Sequence, residues 1–296
     1  MRSGQREMAN LRRLLDLARA EDLGPGDVTS ALLPAGAKAA GRFVARQELV
    51  FCGGAFLEMI AAAYDERIRT VVEVGEGERA ATGAVLGRWD GPAAPILSAE
   101  RVALNFLQRL SGIATLTRRY VDAVAGTGAE IFDTRKMTPG WRDLEKYAVR
   151  SGGGRNHRRG LYDALLVKDN HLTAMKRAGF DDAIGALADK LAAARKKLGE
   201  GGFIGIEVDT LEQFEAALKL PVDIILLDNF SAEDLSRAVA YRRRDDPSGK
   251  VALEASGGVT LESVGEVARS GVERIAVGAI THSARAVDIA LDLEGL

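Results

Sequence analysis

Arg135, Lys136, Arg158 and Lys168 belong to one stretch, residues 131–171, in which nine Arg and Lys side chains stand against five acids, a local +4 in a chain of net charge −2. A positive field that the overall composition does not require is the footprint of a small, highly charged anion rather than of general nucleic-acid affinity. Further along, Glu207 and Asp228 end two successive apolar runs. Carboxylates so placed can converge on sugar hydroxyls, or on a divalent cation such as Mg2+ that escorts a pyrophosphate. The plainer alternative is ion pairing with Lys168 or Arg135. Ser256-Gly257-Gly258 and Val277-Gly278-Ala279 each follow a strand-like run, where bare glycine N–H groups and a helix N-terminus hold phosphate. Either one alone reads as a turn, and only the pair favours phosphate. Gly152-Gly153-Gly154 lacks the Gly-Lys-Ser or Gly-Lys-Thr that would complete a phosphate loop.

The residue types that are missing narrow the chemistry. There is no His-Glu-x-x-His and no Cys/His spacing for a tightly held zinc, and no nucleophile–base pair declares itself. Of the three histidines, His157 lies in the cationic stretch, while His171 and His282 serve equally well as capping or packing residues. The single cysteine, Cys52, follows Val50 and Phe51, reads as a buried small hydrophobe and leaves no partner for an internal disulfide.

Positioning these side chains falls to an alternating pattern that begins at Glu130. The apolar runs EIFD, ALLVKD, FIGIEVD, DIILLD, KVALEAS and RIAVG are separated by helical stretches such as DAIGALADKLAAARKKL and LEQFEAALK. Continuous apolar strands alternating with helices predict parallel strands covered on both faces. With no Gly-x-Gly-x-x-Gly after the first run, the pattern favours an α/β barrel, complete or not, over a dinucleotide-binding sheet. The candidate residues then sit at the carboxyl ends of the strands, which is the active-site face of such barrels.

The first hundred residues read differently. Leu11, Leu14, Leu15 and Ala18 fall at helical spacing and Gly24-Pro25-Gly26 stops that helix, after which strands over 41–54, 67–74 and 83–89 surround a short helix at 55–64. Ser98 is the expected N-cap of a long amphipathic helix with Phe106, Leu110, Ile113, Thr117, Val121 and Val124 on one stripe. Arg101 would then lie in its first turn, where the helix dipole disfavours a cation. Either a local pairing with Glu100 or an anion accounts for it. With 296 residues, 47% hydrophobic and 28% charged, the chain fits about two globular domains. No apolar run is long enough to span a membrane, and the N-terminus MRSGQREMANLRR lacks the apolar block of a signal peptide, so the expected location is cytoplasmic.

Three motifs carry a resemblance. Asp133 to Gly140 (DTRKMTPG), Gly152 to Arg158 (GGGRNHR) and Gly160 to His171 (GLYDALLVKDNH) closely resemble the quinolinate phosphoribosyltransferase family, also called nicotinate-nucleotide pyrophosphorylase (carboxylating), as do ERVALNFLQRLSGIAT from Glu100 and EASGGV from Glu254. The resemblance runs from about Glu21 to the end of the chain. It implies a small N-terminal α/β sandwich domain (1–112) and a C-terminal open, incomplete α/β barrel (113–282), with a final helix over about 283–296 packing on the first. It further implies conversion of quinolinate and phosphoribosyl pyrophosphate to nicotinate mononucleotide, pyrophosphate and CO2 in NAD biosynthesis, with Mg2+ and no prosthetic group. Arg135, His157, Arg158 and Lys168 would face the quinolinate carboxylates. Arg101 would come from the partner subunit of a homodimer or dimer-based hexamer. Lys136, Glu207 and Asp228 would handle the phosphoribosyl part as the catalytic set, with any metal at Glu207 and Asp228, and the loops Ser256-Gly257-Gly258 and Val277-Gly278-Ala279 would take the 5′-phosphate. Neither nucleic acid nor membrane is an expected partner.

The pattern departs from the family at Met137, Trp141 and Arg155, which bear on substrate affinity more than on reaction type because none deletes a charged ligand. Two further readings compete: a relative acting on a monocarboxylate such as nicotinate, and a catalytically silent nucleotide-binding barrel. The number of clustered cations speaks against the first, and the presence of Glu207 and Asp228 against the second.

Overall fold

The computed structural model describes residues 4–180, 182–199 and 201–294. Its contacts form two compact units. One gathers the chain up to Arg118, Lys136–Gly154 and the chain from Ile280 on, and the other comprises Arg119–Arg135 and Arg155–Ala279. Lys136–Gly154 therefore counts with the first unit instead of the barrel, because its helix Arg142–Ser151 packs on the first helix, Gln5–Leu23. Arg150 there pairs with the buried Glu7, and the Asn10 amide donates to the Gly140 carbonyl at 2.7 Å.

In the first unit, strands β1 (Lys38–Ala45), β2 (Leu49–Val50), β3 (Arg69–Val72), β4 (Arg79–Ala80) and β5 (Val85–Pro92) supply most of the sheet structure. β1 pairs antiparallel with β5, which pairs antiparallel with β3. Two expectations fail here. The helix placed over 283–296 is instead a strand from Ile289 to Glu294, called β12 below, antiparallel to the free edge of β1; residues 295–296 lie outside the described ones. Period-two alternation explains it: Ile289, Leu291 and Leu293 share one face opposite Ala45, Phe43 and Gly41. Gly41 suits that face, since a Cβ there would meet Leu291 Cδ1 at 2.9 Å.

Ser98 is not an N-cap. The long helix runs Ala93–Ala123, straight out of β5, and the Ala93 N–H donates to the Ala37 carbonyl at 2.9 Å. Pro95 is tolerated in its first turn because N–H groups there have no intrahelical acceptor. Arg101 consequently lies in the third turn, beyond the strongest part of the dipole, and is exposed. The Ser98 hydroxyl donates to Asp27 at 2.8 Å.

The second unit holds the six expected runs as parallel strands: β6 (Glu130–Phe132), β7 (Leu165–Val167), β8 (Ile204–Val208), β9 (Ile224–Asp228), β10 (Ala252–Ser256) and β11 (Arg274–Ala276). Their order is β6-β11-β10-β9-β8-β7, and among the described residues no pairing joins β6 to β7, so the barrel is open. Ile204, Ile206, Val208, Ile225, Leu227, Leu253 and Ile275 are fully buried, as expected for strands covered on both faces.

Candidate active site

Strand register decides which side chains share the site in the second unit. Glu207 of β8 is opposite Leu226 of β9, Leu226 is opposite Glu254 of β10, and Glu254 is opposite Arg274 of β11. Lys168, one residue past β7, extends this row and its ammonium group pairs with Glu207. Two residues further along the same face, Asp228 is opposite Ser256. In-register parallel pairing thus places Lys168, Glu207, Glu254 and Arg274 in one row interrupted by Leu226, with the candidate residues toward its carboxyl-terminal rim.

The cationic part centres on two guanidinium groups. Arg158 is 9% exposed, and its Nη1 donates to the Ala164 carbonyl at 3.2 Å. Burial pushes its pKa down, and the charge of Arg135 pushes it the same way, against the opposing pull of Asp163 and Glu207. Arg135 is partly exposed, with a buried Nε that has no hydrogen-bond partner. Two neighbouring guanidiniums under mutual repulsion form a site that an anion would relieve.

Glu207 and Asp228 end adjacent strands, as the sequence indicated, and both have protein partners. Glu207 binds Lys168, the pairing weighed as the plainer alternative, whereas Asp228 accepts from the Ser256 hydroxyl at 2.8 Å and from the Asn229 amide at 2.9 Å. Among the described residues no three His, Cys, Asp or Glu side chains form a metal-binding group. Two carboxylates of this kind suit Mg2+ that arrives with its own phosphate oxygens and waters, and do not suit a cage made of protein alone.

The glycine turns are built for close approach. Gly257 has φ +86°, and a Cβ on it would lie 2.2 Å from Asn229 Oδ1, whereas the position beside Gly258 (φ +58°) is open. Asn229 itself is left-handed at φ 58°, and its N–H donates to the Ser256 carbonyl at 2.9 Å. A turn follows Gly258, and the next helix begins only at Val264, so any phosphate there would rest on backbone N–H groups more than on a helix dipole. Val277 N–H donates to the Phe132 carbonyl at 2.9 Å, which ties Gly278 and Ala279 to the end of β6.

His157 is placed differently from its neighbours in the motif. It is 9% exposed and packs edge-on against Phe203. Its Nδ1 accepts the Arg158 N–H at 2.8 Å and its Nε2 lies 3.3 Å from Glu254. His171 caps its own short helix, where Nδ1 accepts the Lys168 N–H at 3.0 Å, and His282 hydrogen-bonds Ser283. Arg155 turns outward to Glu130, 2.9 Å away.

Lys136 and Arg101 belong to the first unit. Lys136 is exposed, and its carbonyl accepts the Thr281 hydroxyl at 2.8 Å. The following loop is held by Glu145, fully buried, which accepts from the Thr138 hydroxyl at 2.8 Å and from Arg109 at 2.8 Å. Trp141 stacks on Phe106 with ring centroids 4.9 Å apart. The sequence reading passed over Arg109, Glu145, Asp133, Glu254 and Arg274. An acid inside an apolar run, as in KVALEAS, is the signal that was available for Glu254, whereas Asp133 closes the run EIFD as a strand-end residue with no role assigned to it.

An open parallel α/β sheet that gathers paired guanidiniums, strand-end carboxylates and glycine turns on one rim defines a barrel-type enzyme with an anion site. Residues 27–111 match the N-terminal domain, and residues 113–292 the C-terminal domain, of quinolinate phosphoribosyl transferase. A nicotinate-nucleotide pyrophosphorylase (carboxylating) of Mycobacterium leprae is 44% identical, covering 92% of this chain and 93% of that protein. A probable enzyme of that name from Bacillus subtilis is 38% identical over 96% and 93%. The structure of the nicotinate-nucleotide pyrophosphorylase from Francisella tularensis superposes with a TM-score of 0.85 at 36% identity, covering 97% of this chain and 96% of that one. The chain belongs to the quinolinate phosphoribosyltransferase family.

Proposed function

We propose that this chain is a decarboxylating pentosyltransferase that converts quinolinate and phosphoribosyl pyrophosphate to nicotinate mononucleotide, pyrophosphate and CO2 for NAD biosynthesis in the cytoplasm. The observation that carries this reading is the charge of Arg135 acting on the buried Arg158, which also feels Glu207, the carboxylate that Lys168 pairs. Quinolinate presents two adjacent carboxylates, and fixed guanidinium forks offset the cost of desolvating both.

In this reading Arg135, Arg158 and Lys168 hold the dicarboxylate so that the ring nitrogen faces the sugar. The glycine turns at Ser256-Gly258 and Val277-Ala279 take the 5′-phosphate, and Lys136 neutralises charge on the phosphoribosyl part. Departure of pyrophosphate leaves a ribosyl carbon with oxocarbenium character. Glu207 and Asp228, both negative and fixed at strand ends, favour that positive centre while the ring nitrogen supplies the electron pair for the new C–N bond. The ring, now cationic, stabilises the electron pair that the C–C bond leaves on the ring carbon as the neighbouring carboxylate departs as CO2, and a proton from solvent then fills that position, so neither a covalent nucleophile nor a prosthetic group is required. Mg2+ bound at Glu207 and Asp228 would supply charge neutralisation of the pyrophosphate.

The active assembly is a homodimer or a dimer-based hexamer in which Arg101 of one copy serves the site of another; the exposure of Arg101 on its helix supports this. The deciding assay feeds carboxyl-labelled quinolinate, phosphoribosyl pyrophosphate and Mg2+ to the purified chain. Labelled CO2 and nicotinate mononucleotide should form together. Preference for nicotinate over quinolinate, or no CO2, would overturn the reading.

A further inference from the structure

Glu254 is fully buried in the middle of β10, within a run otherwise apolar. Burial pushes its pKa up, but contact with His157 and the Arg274 guanidinium draws it the other way, below the ordinary carboxylate range. Its Oε2 accepts from Arg274 Nε at 2.7 Å, and Oε1 faces His157 Nε2 at 3.3 Å. Arg274 is itself fixed over the Phe132 ring, 3.5 Å from its centroid. An apolar side chain would pack at this position without desolvating a charge, so the carboxylate needs a reason.

The His157 ring supplies one. Its Nδ1 accepts the Arg158 N–H, so the ring proton must sit on Nε2. A carboxylate at Nε2 selects that tautomer; with the proton on Nδ1, two donors would face each other and Arg158 would lose its anchor. On the other side, Asp133 Oδ1 accepts the His157 N–H at 2.8 Å and its Oδ2 accepts the Asn156 amide at 2.7 Å. The segment carrying Arg158 is thus pinned at successive residues, which is what holding a buried guanidinium beside Arg135 requires.

We propose that Glu254 is a positioning residue for the dicarboxylate site, acting through the tautomer of His157 to fix Arg158, so that Arg274, Glu254, His157 and Arg158 work as one chain. The proposal rests on the functional reading above. It is tested with the full-length protein as wild type, Glu254→Gln, His157→Gln and the double variant, by calorimetric quinolinate binding, by KM for each substrate, and by thermal melting. Glu254→Gln should weaken quinolinate binding at least tenfold while KM for phosphoribosyl pyrophosphate changes less than twofold. His157→Gln can place its amide NH2 toward Glu254, but its acceptor oxygen then lies away from the Nδ1 position that receives the Arg158 N–H, so it should be folded and equally impaired even where Glu254→Gln melts too low to measure. The double variant should be no worse than either single one. Wild-type binding in His157→Gln, equal loss for both substrates, or additive losses in the double variant would overturn the proposal. A wild-type chain that does not bind quinolinate would instead sink the functional reading on which it rests.

Discussion

Arg135 and Arg158 repel one another in the free protein, and that gives their substitutions opposite signs in two experiments. Arg135→Ala relieves Arg158 of a like-charged neighbour, so the melting temperature should hold or rise. The same change removes one of the cations facing the dicarboxylate and should lower kcat/KM for quinolinate by about 3 kcal/mol, or roughly a hundredfold, on the scale of leaving a desolvated charge unpaired. Lys168→Ala should lose activity similarly, and it frees Glu207. Steady-state kinetics beside thermal melts would check both, and a joint fall in stability and activity for Arg135→Ala would point to a structural role. At Gly257 the prediction is steric. Alanine there meets Asn229 Oδ1 at 2.2 Å with φ at +86°, so Gly257→Ala should cost about 1–3 kcal/mol in chemical denaturation.

The loop that follows the first helix shows how a short segment holds its own shape. Asp27 accepts the N–H groups of Thr29 (3.0 Å) and Ser30 (2.9 Å) and the hydroxyls of Ser30 (2.5 Å) and Ser98 (2.8 Å). The Ser30 hydroxyl, then its N–H, then the Ser98 hydroxyl bring its pKa down to about 2. A depressed carboxylate contributes stability that is present in full above the unfolded-state value near 4 and lost as pH falls toward 2. Asp27→Asn should therefore destabilise by about 1 kcal/mol at pH 6, a figure discounted for solvent screening, and the gap to wild type should narrow by pH 3 in urea titrations. Much of this level was legible in advance. The six barrel runs could be read because strands buried on both faces leave no polar positions to confuse the pattern. The start of the long helix could not, because β5 passes into it with no loop and Ser98 offers a better-looking cap five residues on. The pairing of Glu254 with Arg274 and His157 was hidden for the opposite reason: a buried charge looks like noise in an apolar run until its partners, distant in sequence, are known. Glu207 and Asp228 stood out because they fall where runs end.

For the assembled molecule, the proposed sharing of Arg101 makes a sharp prediction. An Arg101→Ala chain mixed with an Arg135→Ala chain should regain activity, since one hybrid site then carries both arginines. No recovery after confirmed subunit exchange would mean that each site is complete within one chain. The pairing of β12 with β1 bears on the molecule in another way. More than 240 residues separate the two partners, and at the usual 5–20 residues per second the ribosome needs roughly 12–50 s to deliver the second after the first. Until then β1 waits with an unpaired edge, so the front half of the chain is the part most exposed to misassociation during synthesis, and a version ending at Asp288 should aggregate even though every barrel strand is intact.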